Sequence, residues 1–536
     1  MGLKKPATAI IETSSRPTIQ IAFKGGQADG RIFEGPKGTT IEAFIRAAYP
    51  DNHPPIIACL VNNQMRELTY HAYVDLVVEP VTLAQSDGLR IYRRSLSLLL
   101  VAAAEELFPG MQIFINYGLN FGAFYFEIGH HVPLTADDLQ RLKDRMRQLV
   151  EADLPISKER VPLAEARQYF SQKQWRDKLR LLETRRKDYL TLYAIHHTKD
   201  YMQGYMVPST GYLSVFDLSA YGDGYVLQYP LKTSPTVLQP PVNYPILVGV
   251  FNEYRDWMKA VDVYDVGKLN AIFHTAKMRE LIFVSEALHE QRIAQIGTEV
   301  ASRGQQIRLI TIAGPSSSGK TTFSKRLAIQ LRTHGLKLMA ISLDDFIINR
   351  AETPRDEEGD YDYESLYSLD LAYFNTTLSA LIAGQEVTMP KYNFISGQRE
   401  WGETLTVSRD TIFIIEGIHG LNPQLITDVA QEYIFRIYVS ALTQLNLDHH
   451  NRVPTTDTRL LRRIVRDAAQ RGYSAADTIT RWPKVRRGEH TWIFPYQENA
   501  DALFNAALVY ELAALKPLAE PLLLQIESGK AGHSEA

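Results

Sequence analysis

Gly314-Pro315-Ser316-Ser317-Ser318-Gly319-Lys320-Thr321 follows the pattern G-x-x-x-x-G-K-[ST]. Glycines let the backbone curl so that successive N–H groups converge on one anion. A helix starting where the loop ends adds the positive end of its dipole beneath that anion. Lys320 is long enough to reach the outer oxygens of a polyphosphate, and Thr321, followed by Thr322, can offer a hydroxyl to Mg²⁺. The pattern implies nucleotide binding and leaves the reaction open, because hydrolases and kinases alike use it.

Acids and arginines downstream narrow the chemistry. Leu343-Asp344-Asp345-Phe346 places two carboxylates behind a predicted strand, at the edge where α/β sheets hold ligands. Asp344 is the better candidate for a general base that takes a proton from an acceptor hydroxyl, whereas Asp345 serves equally well as a helix N-cap. Ile412-Phe-Ile-Ile-Glu416 is an apolar strand ending in an acid, suited to steadying Mg²⁺ from across a cleft. Arg459, Arg463 and Arg466 share one helical face, and Arg471, Arg486 and Arg487 follow, which suggests a lid that stabilises transferring charge and excludes water.

The elements that must position these residues are legible as periodicity. Ile307–Ala313 is an almost unbroken β-branched run, as in a buried parallel strand, and Thr322–Arg332 has helical spacing. Apolar runs at 338–343, 411–415 and 434–439 alternate with helical segments, which predicts a doubly wound α/β domain. Upstream, 18–23, 55–61 and 68–78 read as strands, 39–48 as a helix, and Asn62-Asn63 as a hairpin turn. A helix at 95–108, strands within 111–128 and a helix at 136–152 follow, then mixed structure over 160–230, a proline-rich break near 230–245 and a helical stretch at 254–302.

A chain of 536 residues needs more than one core. A net charge of −3 gives no support to nucleic-acid binding, and no apolar stretch approaches the length of a membrane span. Cys59 stands alone, so no internal disulfide forms, and no signal-peptide core follows Lys4-Lys5. A cytoplasmic protein is expected.

In order, GPSSSGKT, SLDDF at 342–346, Tyr361-Asp362, Pro390-Lys-Tyr392, IIEGI at 414–418, TRLLRRIVRD at 458–467, Arg471-Gly472 and Ala500-Asp501 resemble the uridine kinase and phosphoribulokinase family. That resemblance implies a P-loop kinase domain at 305–525 that binds ATP through Gly314, Pro315, Ser316, Ser317, Ser318, Gly319, Lys320, Thr321 and Thr322. It makes Asp344 the base, assisted by Lys320, and Thr321 and Glu416 the Mg²⁺ contacts. Asp362 would hold sugar hydroxyls, Tyr392 would lie by the nucleobase, and Arg463, Arg466 and Arg471 would meet phosphate or sugar. Arg486 and Arg487 are lid candidates. The implied reaction is phosphorylation of a nucleoside 5′-hydroxyl. Gly397 stands where the family usually has a base-reading histidine, and Tyr473 where it often has arginine, so a sugar or sugar phosphate is the alternative acceptor.

The N-terminal part resembles two modules of threonyl-tRNA synthetase, carried by Asp87-Gly-Leu-Arg-Ile-Tyr-Arg-Arg-Ser, Glu106-Leu-Phe-Pro109 and Val207-Pro-Ser-Thr-Gly211. A β-grasp TGS-like domain is expected at 17–84 and an α+β editing-like domain at 86–230, with a largely helical connector at 231–304. Arg94, Leu98, Met202 and Met206 occupy the metal-ligand positions of the editing site, so neither a metal nor editing hydrolysis is expected there. The pairs His130-His131, His196-His197 and His449-His450 are not expected to bind metal either, since neighbouring side chains on a strand point apart. An ATP-sensing regulator that contacts RNA through these modules is a further reading, and self-association stays open.

Overall fold

The structure, a computed structural model, describes residues 16–51, 53–129, 133–393 and 396–527. The N-terminal residues read for targeting signals and the pair His130-His131 lie outside them. The chain divides into two units: one of residues up to Ile113 with Phe126–Pro162 and Tyr189–Gln239, the other of Phe114–Tyr125, Leu163–Asp188 and residues from Pro240 onward.

In the first unit, Thr18–Phe23 pairs antiparallel with Ile32–Pro36 and parallel with Leu76–Thr82, in a five-stranded sheet that Ile56–Val61 and Gln64–Arg66 complete. One helix, Ile41–Ala48, buries Ile41, Phe44 and Ile45, and Thr40 caps it by accepting the Ala43 N–H. Asn62 and Asn63 both take positive φ, 49° and 63°, and turn the hairpin as their residue type allows. The strand expected at 68–78 is instead loop up to Leu76. Leu68 and Ala72 are fully buried, and the Leu68 and Tyr70 carbonyls accept the first N–H groups of the helix, so the apolar spacing reflects anchoring of a loop. The long helix runs Ser86–Leu107, starting earlier than its apolar face suggests because Arg90, Arg93 and Arg94 interrupt that pattern.

In the second unit the expected helical stretch is three helices: α1 (Pro245–Ala260), α2 (Val266–Ile272) and α3 (Ala276–Ser302). Asp262 at φ 55° breaks the first, and Asp265 restarts the chain by accepting the Lys268 N–H. There follow β1 (Leu309–Ala313), α4 (Lys320–Thr333), β2 (Leu338–Ser342), α5 (Leu371–Ile382), the hairpin β3 (Val387–Asn393) and β4 (Gln398–Leu405), β5 (Ile412–Glu416), β6 (Ile434–Ser440), α6 (Thr455–Gln470), α7 (Ala475–Trp492), β7 (Ala502–Asn505) and α8 (Glu511–Leu523).

Five of these strands form one sheet in the order β2-β5-β1-β6-β7, every neighbour parallel. Burial on both faces explains their apolar runs: Ile310, Ile312, Ile412 and Ile414 pack with Phe323 and Leu327 of α4, while Leu309, Phe413 and Ile415 pack with Phe374 and Leu378 of α5. Each such side chain contributes roughly 1.5–3 kcal/mol of burial. Register then sets the site, for Ile312 and Ser342 both stand opposite Glu416 and the chain leaves all three strands at one edge.

Candidate active site

The phosphate loop follows β1 where it passes β6. A Cβ at Gly314 would lie 1.9 Å from the Val439 carbonyl oxygen, so only glycine fits this approach. Gly319 at φ 91° and Ser317 at φ 59° complete the curl, and α4 begins at Lys320 with its dipole directed at the loop. Lys320 Nζ donates to the carbonyls of Gly314 at 2.9 Å and Pro315 at 3.3 Å, which holds the ammonium over the cradle. Burial lowers its pKa, an effect that Glu416 and Asp344 oppose. Ser317 Oγ and Ser318 Oγ are buried and find no partner among the described residues, so both hydroxyls are available to an oxyanion.

Two acids reach the same edge. Asp344 follows β2 directly, is exposed, carries no hydrogen bond or ion pair on its carboxylate among the described residues, and interacts electrostatically with Lys320. Asp345, its neighbour, is turned away: it accepts the Tyr392 N–H at 3.5 Å, and burial raises its pKa. The N-cap of this short turn is Ser342, so Asp345 takes neither of the two roles weighed for it. Glu416 ends β5, and Thr321 Oγ1 donates to its Oε2 at 3.0 Å. Two hard oxygen donors that meet at the mouth of the phosphate loop fit Mg²⁺.

A third acid escaped the sequence reading. Asp362 uses its Oδ1 to accept the Glu364 N–H at 3.2 Å, whereas Glu364 itself sits among Lys320, Arg463, Glu489 and Asp362. Burial, then the nearby Glu489, pushes its pKa up to about 7, although Arg463 and Lys320 oppose the shift. Nothing in the spacing of Glu364 marked it out, because it sits in a turn that Asp362 fixes by accepting its N–H.

The position of Glu364 has a consequence for stability. An acid raised from 4.5 to about 7 contributes fully below its unfolded value, and that contribution is lost as pH rises through its folded one. Thermal unfolding of the wild type and Glu364→Gln at pH 5 and pH 8 is the check. The wild type should lose stability relative to the variant over that interval, and a constant difference would mean that Glu364 is ionised throughout.

The arginines separate into three groups. Arg463 Nη1 donates to Ser316 Oγ at 2.6 Å, and Arg459, wholly buried, donates through Nε and Nη2 to the Ser316 carbonyl at 3.0 and 2.9 Å. Arg466 pairs with Asp467 at 2.8 Å, and the exposed Arg471 reaches the same carboxylate at 3.7 Å. Arg486 is paired with Glu489, but Arg487 points elsewhere, to Glu358 at 2.8 Å and Asp356 at 3.7 Å on the segment before Glu364. Tyr392 is buried on β3 and hydrogen-bonded to the Arg350 side chain. Gly397 touches the same arginine: a Cβ there would lie 2.7 Å from its guanidinium carbon.

The four positions of the editing-like module form no ligand set. Leu98, Met202 and Met206 are buried, Met206 Sδ accepts a hydrogen bond from Ser95 Oγ, and Arg94 Nη1 donates to the Tyr205 carbonyl at 2.8 Å. Among the described residues the one cluster with metal-ligand geometry is Asp356, Glu358 and Asp360, and Lys484 is ion-paired with all three. His196 and His197 do not point apart. They occupy a turn rather than a strand, and their ring centroids are 3.7 Å from each other. His449 stands beside Asp177 and His450 against Trp175, both structural packings.

Residues 309–512 match the Phosphoribulokinase / Uridine kinase family. Curated relatives of the N-terminal region include Threonine--tRNA ligase of Symbiobacterium thermophilum, 26% identical over 198 residues, and that of Bacillus velezensis, 30% identical over 198 residues. Each alignment covers 37% of this chain, which spans about a third of the length of those relatives. Solved structures that align with part of this chain include a possible uridine kinase from Bacillus stearothermophilus, 20% identical, covering 40% of this chain and 98% of its own, at a TM-score of 0.28. D-glycerate 3-kinase from Cryptococcus neoformans is 17% identical, covering 42% and 76%, at a TM-score of 0.20. No helix among the described residues is long and apolar enough to cross a membrane.

Proposed function

We propose that this chain, whose residues 309–512 form a kinase domain of the phosphoribulokinase and uridine kinase family, transfers the γ-phosphoryl group of ATP to the 5′-hydroxyl of a nucleoside. The observation that carries the reading is the carboxylate of Asp344, without a hydrogen bond or ion pair among the described residues and within electrostatic reach of Lys320 at the mouth of the phosphate loop.

The loop amides and Lys320 hold the phosphates, and the Ser317 and Ser318 hydroxyls extend the same grip. Mg²⁺ held by Thr321 and Glu416 would neutralise charge on the outer phosphate oxygens. Glu364 accepts a hydroxyl of the acceptor and turns its reactive oxygen toward the γ-phosphorus, while Asp344 takes the proton as the new O–P bond forms. The bond to the bridging oxygen breaks, and ADP leaves with that oxygen. Arg463 contributes positive charge where the transferred group passes.

Arg350 favours a second acceptor. Its guanidinium lies against Gly397 and bonds to Tyr392, in the place where the family resemblance leads one to expect a base-reading imidazole. A fixed planar cation suits an anionic group such as a sugar phosphate, or an oxygen-rich base edge. A panel of pyrimidine and purine nucleosides and ribulose 5-phosphate, with ADP release coupled to a spectroscopic assay, separates the two. Nucleosides should give the highest kcat/KM. A clear preference for the sugar phosphate would replace the first reading with the second.

A further inference from the structure

Glu489 of α7 is wholly buried and forms ion pairs with Arg459 of α6 and with Arg486 on its own helix. Burying three charges is expensive: an apolar trio of the same volume is often as stable or more so, which makes stability a poor reason for the arrangement. What the trio touches is the phosphate loop. The Ser316 N–H donates to Glu489 Oε1 at 3.2 Å, and the Ser316 carbonyl accepts two hydrogen bonds from Arg459. The peptide planes on both sides of Ser316 are therefore pinned, one by an acceptor and one by a donor. The next residue, Ser317, lies at φ 59°, a left-handed conformation that a residue with a Cβ adopts reluctantly. From there the chain delivers Ser318, Gly319 and Lys320 to the anion.

We propose that Glu489 is a positioning residue of the phosphate loop: through Ser316, and with Arg459, it holds the loop in the curled form that receives the nucleotide phosphates. The inference rests on the kinase reading for its ligand, ATP, but concerns binding and not transfer. Glu489 does not itself meet the phosphates. Its carboxylate spends its hydrogen-bonding capacity on one amide and two guanidinium groups. The cost of losing it should therefore fall on ATP, and above the pKa of Glu364, where that acid is ionised with or without Glu489, the acceptor should be little affected.

The test uses the full chain as wild type, Glu489→Gln and Leu269→Ala. The last is a control that empties part of the core shared by α1, α2 and α3, and lowers stability away from the loop. ATP affinity is measured by titration calorimetry and stability by thermal unfolding, with the KM of the best acceptor alongside. Glu489→Gln should bind ATP about tenfold or more weakly, the loss expected when a charge-assisted hydrogen bond goes, with the acceptor KM within about twofold of wild type. Leu269→Ala should unfold earlier yet bind ATP normally. Wild-type ATP affinity in Glu489→Gln would overturn the inference, as would an equal loss in Leu269→Ala. If Glu489→Gln does not fold, Glu489→Asp keeps the charge but withdraws it from Ser316, and the same ATP-selective loss, or its absence, decides. A wild type that binds ATP but phosphorylates no acceptor would remove the kinase reading and leave this inference standing.

Discussion

Replacing Asp344 by Asn should lower turnover by about 10²–10⁴-fold, the range expected when a general base is lost, and leave ATP affinity close to wild type. The separation of the two effects follows from position. Asp344 stands beyond the C-terminal end of β2, its carboxylate unpaired among the described residues, whereas the groups proposed to grip the phosphates belong to the loop after β1. Asn keeps the shape and removes the proton acceptor. Asp345 cannot take over, since its carboxylate faces the Tyr392 amide. Measured kcat with saturating ATP and acceptor, beside an ATP titration, reads both quantities, and unchanged turnover would remove Asp344 from the role.

Lys320→Ala should cost turnover at least as heavily as the loss of one preorganised donor in an anion hole, about 10²–10³-fold, and should weaken ATP binding too. The side chain does two things at once. Its ammonium supplies positive charge that interacts with Asp344 and Glu416, and its hydrogen bonds to the Gly314 and Pro315 carbonyls close the loop on itself. Lys320→Arg should not restore activity, because a planar guanidinium cannot place a compact charge in the same cavity. A titration with ATP and a product assay by chromatography check this. Native turnover in Lys320→Ala would remove the basis for the phosphotransfer mechanism.

The two predictions separate parts of the site that lie on different strands, and the sheet explains why both are needed. Ile312 of β1 and Ser342 of β2 stand in register with Glu416, so the phosphate loop, Asp344 and the acid of β5 emerge side by side. Helices α6 and α7 then reach the loop from the other direction through Ser316, which binds Arg459, Arg463 and Glu489 at once. A residue so placed links the position of α6 and α7 to the shape of the phosphate cradle.

Much of this was legible in one dimension. The parallel strands announced themselves because a strand buried on both faces must be apolar at nearly every position, as Leu309–Ala313 is apart from Thr311 and residues 412–415 are throughout. The phosphate loop was legible because its backbone geometry leaves few residue types able to occupy it, Gly314 against the Val439 carbonyl being the strictest case. The acids at strand ends followed from the same strands.

Tertiary structure alone decided what each charge is for. Asp344 and Asp345 are the same residue type at adjacent positions, and only the packing of β3 consumes one and leaves the other free. Arg486 and Arg487 are likewise neighbours, but successive residues on a helix point about 100° apart, so one is paired with the buried Glu489 and the other with a surface loop. Glu364 and Glu489 look like ordinary polar residues in the chain. Their pKa shifts depend on groups that other elements bring beside them, Glu489 next to Glu364 and Arg459 next to Glu489, and electrostatic energy depends on distance and desolvation, neither of which is written along the sequence.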